Sequence, residues 1–322
     1  MAVLNMVQAL NQALEQEMAR DSDVVVLGED VGVDGGVFRV TDGLHAKFPN
    51  RVFDTPLAES GIVGTAIGMA VHGMRPVAEI QFSGFVFPAM NQLVCHAARL
   101  RNRSRGAVHC PMVVRMPSQG GVRALEHHSE SVEAYFAHTP GLKVVMPATP
   151  YDAKGLLTSA IRDPDPVIFM EPTKLYRSVK EEVPEEQFTV PIGKANIIQE
   201  GDDLTVVTWG SYLKEVMDVL TKAEKPSVEL IDLRSISPLD TETIISSVKK
   251  TGRCLIVQEA PRSFSVSSEI SARITERAFL SLKAPVQRLA GYDLIMPMPQ
   301  GEHLYLVNER RIRTAIEQVM TY

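Results

Sequence analysis

The chain has 322 residues, 45% of them hydrophobic and 22% charged, with a formal net charge of −6. That is enough apolar sequence for a large core, most simply in two domains, and the mild acidity excludes the usual electrostatic footprint of a nucleic-acid binder. The three cysteines, Cys95, Cys110 and Cys254, form no CxxC pair, which points to a reducing compartment and away from structural zinc or disulfide exchange.

The first stretch, MAVLNMVQALNQALEQEMAR, has no basic start and carries Glu15 and Glu17. It resembles neither a secretion signal nor an Arg-rich transit peptide. Val3, Met6, Val7, Leu10 and Leu14 fall at helical spacing. No apolar run reaches the roughly 20 residues that span a bilayer. No membrane association and a cytoplasmic location are therefore expected.

Short β-branched runs then alternate with helical patterns. DVVVLG (23–28), RPVAEI (75–80), MVVRMP (112–117), LKVVMP (142–147) and PVIFME (166–171) read as buried strands. Helices fit near 57–73, 86–103 and 151–162. This rhythm indicates a parallel sheet with helices on both faces. Over 177–200 the sequence is charged and punctuated by proline, without period, and reads as a linker. The rhythm resumes with strands expected at 204–209, 227–233, 253–259 and 284–290, and helices at 211–223, 240–250, 265–280 and 308–320. The expected fold is α/β: a first domain over 1–176, the linker 177–200, and a smaller α/β domain over 201–322.

Ligands of open α/β sheets sit at the carboxyl ends of the strands. Polar residues follow three of these ends: Glu29 and Asp30, then Gln81, then His127 and His128. Glu59 opens a run, SGIVGTAIGMAVHG, that has no other acid and no Lys or Arg. It reads either as an acid placed by the helix dipole or as a partly desolvated carboxyl with a raised pKa, able to hold a proton near neutrality. Gln81 is followed by Phe82, Phe85 and Phe87, which suit core packing or a slot for a flat heteroaromatic ring. The adjacent histidines read as a solvated loop or as a functional pair; nothing at ligand spacing supports a zinc site. GxxxxGK[ST], GxGxxG and GxSxG are all absent.

Together, VVVLGEDVGVDGGVFRVTDGL, RVFDTPLAESGIVG, RPVAEIQFSGFVFPAMNQ, GLKVVMPATPYDAKGLL, AIRDPDPVIFMEPTKLYRSVKEEVP and PIGKANI closely resemble one family. It is the β subunit of the thiamine-diphosphate-dependent decarboxylating component of 2-oxo acid dehydrogenase complexes, and the resemblance covers essentially the whole chain. It implies a pyrimidine-binding α/β domain followed by a transketolase-like C-terminal domain. It also implies that Glu59 shares a proton with a pyrimidine nitrogen of the cofactor and so promotes its activation. Glu29, Leu57, Ala58, Gln81 and Phe85 would complete the cofactor pocket, with Phe85 packed on the pyrimidine. Phe82, Ser83, Gly84, Phe85 and His128 would meet the substrate, and His128 matches the family's active-site histidine, placed for the 2-oxo acid or the arriving lipoyl group.

The family holds the diphosphate through Mg²⁺ with a GDG…N motif, which this chain lacks. The resemblance therefore implies half a site, completed by an α subunit in an α2β2 assembly that also supplies most Mg²⁺ ligands and serves a lipoyl acyltransferase component. Relatives bind a structural K⁺ at positions matching Met112, Ala160, Ile161, Asp163 and Asp165; a polar helix-end turn is the plainer reading. Glu130 stands in HSES where many relatives read HSQS, and the preceding loop lacks the further glycines of many branched-chain members. Phe85 matches many pyruvate enzymes, whereas MEPTKLYRSVKEEVPEE, EAYFAHTPGLKVV and AGYD look closer to branched-chain members. The expected substrate is a branched-chain 2-oxo acid, with pyruvate the alternative. A non-catalytic regulatory or scaffold paralogue would have lost Glu59 or His128, and both are present. A self-sufficient transketolase-like enzyme is disfavoured by the missing diphosphate motif.

Overall fold

The run VVVLG has no polar side chain to place on a solvent face, so it needs cover on both sides. It forms the strand Val24–Gly28, buried throughout, second from one edge of a seven-stranded sheet. The computed structural model describes residues 1–222 and 225–322. Across this sheet the strands run Ser235–Ser237, Lys143–Val145, Val167–Pro172, Val113–Ser118, Arg75–Glu79, Val24–Gly28 and Val52–Asp54. All are parallel except the first, which pairs antiparallel with its neighbour. A second sheet of five runs Gln287–Gly291, Cys254–Pro261, Leu204–Thr208, Val228–Asp232 and Asn196–Gln199, the last antiparallel. The chain is thus a two-domain α/β structure with helices against parallel sheets, as the alternation of runs implies.

The first helix, Met6–Arg20, is set by a reciprocal capping box between Asn5 and Gln8. Its buried stripe includes Met6, Leu10, Leu14 and Met18, and it packs against the helix Pro150–Arg162. Glu17 is fully buried in that seam because Arg162 grips both its oxygens, at 2.6 and 2.9 Å. A buried carboxylate is tolerated where such a bidentate partner replaces water.

Three expectations are corrected. The segment 177–200 is not free of structure: Lys180–Val183 pairs with Ala2–Asn5, and Asn196–Gln199 closes the second sheet. Edge strands bury few side chains, so they show no apolar period. The region 86–103 is not one helix. It breaks into 3₁₀ turns at Phe87–Ala89 and Ala97–Arg99, a π turn at Gln92–His96, and one α turn at Leu100–Arg103. Pro88 supplies no backbone donor, and a π turn inserts an extra residue into the helical ladder. The helix expected over 211–223 spans Ser211–Leu220, and residue 223 lies outside the described residues.

The two halves are interlocked beyond their connection. Ser235–Ser237, from the C-terminal half, adds a strand to the N-terminal sheet. Among the described residues no helix is long and apolar enough to cross a membrane, and all three cysteines are free.

Candidate active site

Parallel pairing brings the carboxyl ends of Val24–Gly28, Val52–Asp54, Arg75–Glu79 and Val113–Ser118 to one edge of the sheet. The loops that leave these strands therefore converge. Gly28 leads to Glu29 and Asp30. Asp54 leads through Pro56 to Glu59, the first residue of the helix Glu59–Val71. Glu79 leads to Gln81 and the turn Ser83–Phe85, and Ser118 leads to the loop with both histidines.

The local chain holds these arrivals in place. Thr55 donates its N–H to the Gly28 carbonyl at 2.9 Å, tying the two acidic segments together. The Asp54 carboxylate accepts Gly32 N–H at 2.6 Å and Val33 N–H at 3.2 Å, which folds the Gly-rich loop back over the sheet end. Gly32 is required there, because a β-carbon would strike the Asp54 carboxylate. Gln81 donates its amide N–H to Asp30 at 3.3 Å.

Glu29, Asp30 and Glu59 form an acidic group. Burial raises the Glu29 carboxyl above its usual range, and the charges of Asp30 and then Glu59 raise it further. A carboxyl raised in this way, as Glu29 is, keeps a proton more readily than a solvated one. Glu59 is half-buried, whereas Leu57 and Ala58 are exposed on the rim beside it.

Next to Gln81 in the chain begins an aromatic cluster. The Phe82 ring is 4.3 Å from the His128 ring and 5.4 Å edge-on from Phe38. Phe85 meets His128 edge-on at 5.0 Å. His128 Nδ1 is 2.7 Å from the Glu126 carbonyl. A carbonyl only accepts, so Nδ1 carries the hydrogen and Nε2 remains the free ring nitrogen.

The structure brings together Glu29, Glu59, Gln81, Phe82, Phe85 and His128 at this edge. It gives two other expected residues structural work. Ser83 is buried and spends its hydroxyl on the Glu130 carbonyl at 2.9 Å. Gly84 is buried against the His127 backbone. The Glu130 carbonyl also accepts Ser118 Oγ and Gln119 N–H, each at 3.1 Å. It is therefore the backbone of Glu130, common to any residue there, that anchors the loop.

The turn expected to bind K⁺ lies elsewhere, and its side-chain carboxylates are engaged by protein cations. Lys143 holds both Asp163 oxygens at 2.7 and 2.8 Å, and Arg101 holds Asp165 at 2.6 Å. The Ile161 carbonyl accepts from Arg75 at 2.9 Å, that of Ala160 from Asp163 N–H, and that of Met112 from Val167 N–H. The Asp163 and Asp165 carboxylates are thus paired with protein cations, while the carbonyls of Met112, Ala160 and Ile161 each keep a second lone pair. Among the described residues no three His, Cys, Asp or Glu side chains converge as a metal site.

Sequence reasoning gave no role to Glu259 and Glu302, which reach the histidine loop from the other half of the molecule. Their only sequence signal is an acid at a strand end and at a helix start, which many surface acids share.

Over residues 2–179 the chain matches the family described as "Transketolase, pyrimidine binding domain", and over 193–312 that described as "Transketolase, C-terminal domain". It is 53% identical to the pyruvate dehydrogenase E1 component subunit beta of Acholeplasma laidlawii, across 99% of this chain and 98% of that one. The protein of the same description in Staphylococcus aureus (strain Mu50) is 50% identical over the full length of both. That of Mycoplasma pneumoniae is 49% identical, over 98% of each. Among solved structures, a split-gene transketolase described as an inactive beta4 tetramer matches with a TM-score of 0.81, covering 99% of this chain and 98% of that one. At 20% identity that likeness speaks to the fold alone.

Proposed function

Because this chain belongs to the family of thiamine-diphosphate-dependent E1 component β subunits of 2-oxo acid dehydrogenases, we propose that it acts with an α subunit on pyruvate. The reaction is oxidative decarboxylation, with transfer of the acyl group to the lipoyl carrier of an acyltransferase component. The observation that carries the reading is the acidic group of Glu29, Asp30 and Glu59, joined through the Asp30–Gln81 hydrogen bond to the segment whose Phe82 and Phe85 pack on His128.

Thiamine diphosphate, when bound, supplies the carbanion chemistry that side chains lack. This chain's part is placement and proton affinity. With the cofactor bound, Glu59 would hold the shared proton at the pyrimidine nitrogen, with Glu29 and Asp30 as neighbouring acids. Phe85 would pack against the pyrimidine, with the Gln81 amide and the backbone at Leu57 and Ala58 as the remaining residues of this chain that would hold it. His128 turns its free Nε2 to the acyl side. The missing GDG…N motif supports assigning the diphosphate and Mg²⁺ to the α subunit. The exposed Leu57 and Val33, 67% and 81% accessible, give an α2β2 partner an apolar rim to cover. A cytoplasmic location belongs to the same proposal.

Pyruvate replaces the branched-chain substrate expected from the sequence. The similar proteins of Acholeplasma, Mycoplasma and Staphylococcus carry the pyruvate description. The stretches that favoured a branched chain serve other ends. Glu171 and Tyr176 build a buried ion network, Lys180–Val183 pairs with the N-terminus, and Lys143–Val145 lies inside the sheet. They are tuned to packing and are poor reporters of substrate. The test is kcat/KM for pyruvate and 3-methyl-2-oxobutanoate on the enzyme reconstituted with its α subunit. Pyruvate is expected to lead by about 10-fold or more, within the usual reach of pocket discrimination. A lead for the branched acid would overturn the assignment.

A further inference from the structure

The loop between Val113–Ser118 and the helix Glu133–Ala137 carries both histidines, yet it is gripped from the C-terminal half. Glu259, in the strand Cys254–Pro261, is 2% exposed. One of its oxygens accepts both Gly120 N–H, at 2.7 Å, and the Ser131 hydroxyl, at 2.8 Å. Glu302, at the start of Glu302–Tyr305, is 4% exposed. Its two oxygens accept Gly121 N–H at 2.9 Å and Arg123 N–H at 3.0 Å. Both ends of the loop are therefore fastened to the other half, and residues 124–130, including His128, span the interval.

The loop needs such fastening. Gln119, Arg123 and His127 all have φ between 56° and 66°, and Gly121 has 99°, a region that side-chain-bearing residues rarely adopt. Carboxylates are apt fasteners: they only accept, they offer two oxygens, and a charged acceptor strengthens each N–H bond. Their use is not cheap for the fold. Burial first, then Glu133 and Glu302, push the Glu259 carboxyl up to about 7.

We propose that Glu259 and Glu302 are positioning residues for His128, through which the C-terminal half sets the geometry of the acyl side of the active site. This rests on the assignment of His128 to the acyl side under Proposed function. Neither acid touches the reacting atoms. Each fixes the backbone from which the imidazole reaches toward Phe82 and Phe85.

The test uses the enzyme reconstituted with its α subunit and thiamine diphosphate. Glu259→Ala, Glu259→Gln, Glu302→Ala, His128→Ala and the double variant Glu259→Ala/His128→Ala are compared by amide exchange over 119–131 and by turnover of pyruvate. Glu259→Ala is expected to speed exchange in that loop about tenfold, from loss of the hydrogen bonds that Gly120 N–H and the Ser131 hydroxyl donate to it. It should lower kcat while thiamine diphosphate binding is kept, and add little to His128→Ala, as expected of residues acting as one unit. Glu259→Gln keeps an acceptor oxygen and should recover most of both. Glu302→Ala tests the second fastening and serves should the first variant misfold. Unchanged loop exchange, or losses that multiply in the double variant, would overturn the proposal. A loosened loop with normal turnover in His128→Ala would instead overturn the catalytic reading of His128.

Discussion

Gly84 and His127 meet backbone to backbone. A β-carbon on Gly84 would fall inside the van der Waals envelope of the His127 carbonyl. The turn Ser83–Phe85 and the histidine loop are thus in register only while position 84 has no side chain. Gly84→Ala forces the two apart, at the roughly 1–3 kcal/mol typical of overpacking. The expected result is a lower melting temperature and a kcat reduced at least as much as in His128→Ala, with thiamine diphosphate affinity kept. Calorimetry and steady-state kinetics on the reconstituted enzyme check this. Full turnover would mean that the loop yields without moving His128.

Glu59→Gln preserves shape and removes the exchangeable proton. Loss of a general acid–base group costs roughly 10²–10⁴ in rate. Hydrogen–deuterium exchange at the thiazolium carbon, followed by NMR, should slow by that order while the assembly stays folded. Exchange at the wild-type rate would remove Glu59 from the proton path.

His128→Ala should spare that exchange. His128 belongs to the Phe82 and Phe85 cluster and is fixed through Nδ1 to the Glu126 carbonyl at 2.7 Å, whereas cofactor activation is assigned to the acids. Turnover with the lipoyl domain is expected to fall by about 10²-fold or more, the contribution usual for a placed acid–base group. If lipoyl transfer and an artificial-acceptor assay both stay normal, the histidine is only a loop residue.

Much of this was legible from local pattern. VVVLG has one buried solution, and strand ends in a parallel sheet point loops to one edge, so the pattern gathers Glu29, Asp30, Gln81 and the two histidines there, while Glu59 joins them through the family resemblance. The features that escaped the sequence depend on pairing at a distance. The strands Lys180–Val183 and Asn196–Gln199 bury too little to show a period. Ser83 looked like a site hydroxyl, but its partner, the Glu130 carbonyl, is 47 positions away. Asp163 and Asp165 looked free to bind a cation because Lys143 and Arg101 are brought to them only by the fold. Glu259 reaches Gly120 across 139 positions, and no spacing rule spans that.

Beneath the site, Arg115 is 1% exposed and bridges two strands. It binds Glu171 through two nitrogens at 2.7 and 2.8 Å and also pairs with Glu79, while the Tyr176 hydroxyl donates to Glu171 at 2.6 Å. Arg115→Met leaves two buried carboxylates without their cation. Breaking such a network from one side costs about 3–5 kcal/mol. Denaturant unfolding should show that loss, and Arg115→Lys should recover little of it because an ammonium cannot make the bidentate fork. A variant as stable as the wild type would show that the buried carboxylates do not depend on Arg115.

Asp232 gives the fold a dependence on pH. It is fully buried at the end of the strand Val228–Asp232, and one carboxyl oxygen has no partner among the described residues. Burial, then the charge of Asp152, raises it from 3.8 to about 8, against the smaller opposing pull of Arg234. Asp152 is itself gripped by Arg234 at 2.7 Å, which weakens that pull. Between those two pH values the folded chain keeps a proton that the unfolded chain has lost. The contribution of Asp232 to stability is therefore full below 3.8 and is lost as pH rises through about 8. Asp232→Asn remains neutral throughout, and its oxygen can still accept Arg234 N–H. The melting temperature of Asp232→Asn relative to wild type should therefore climb between pH 6 and pH 9, by about 2 °C or more for a chain of this size. Parallel curves for the two proteins would mean that Asp232 is ionised in the fold and that Arg234 compensates it fully.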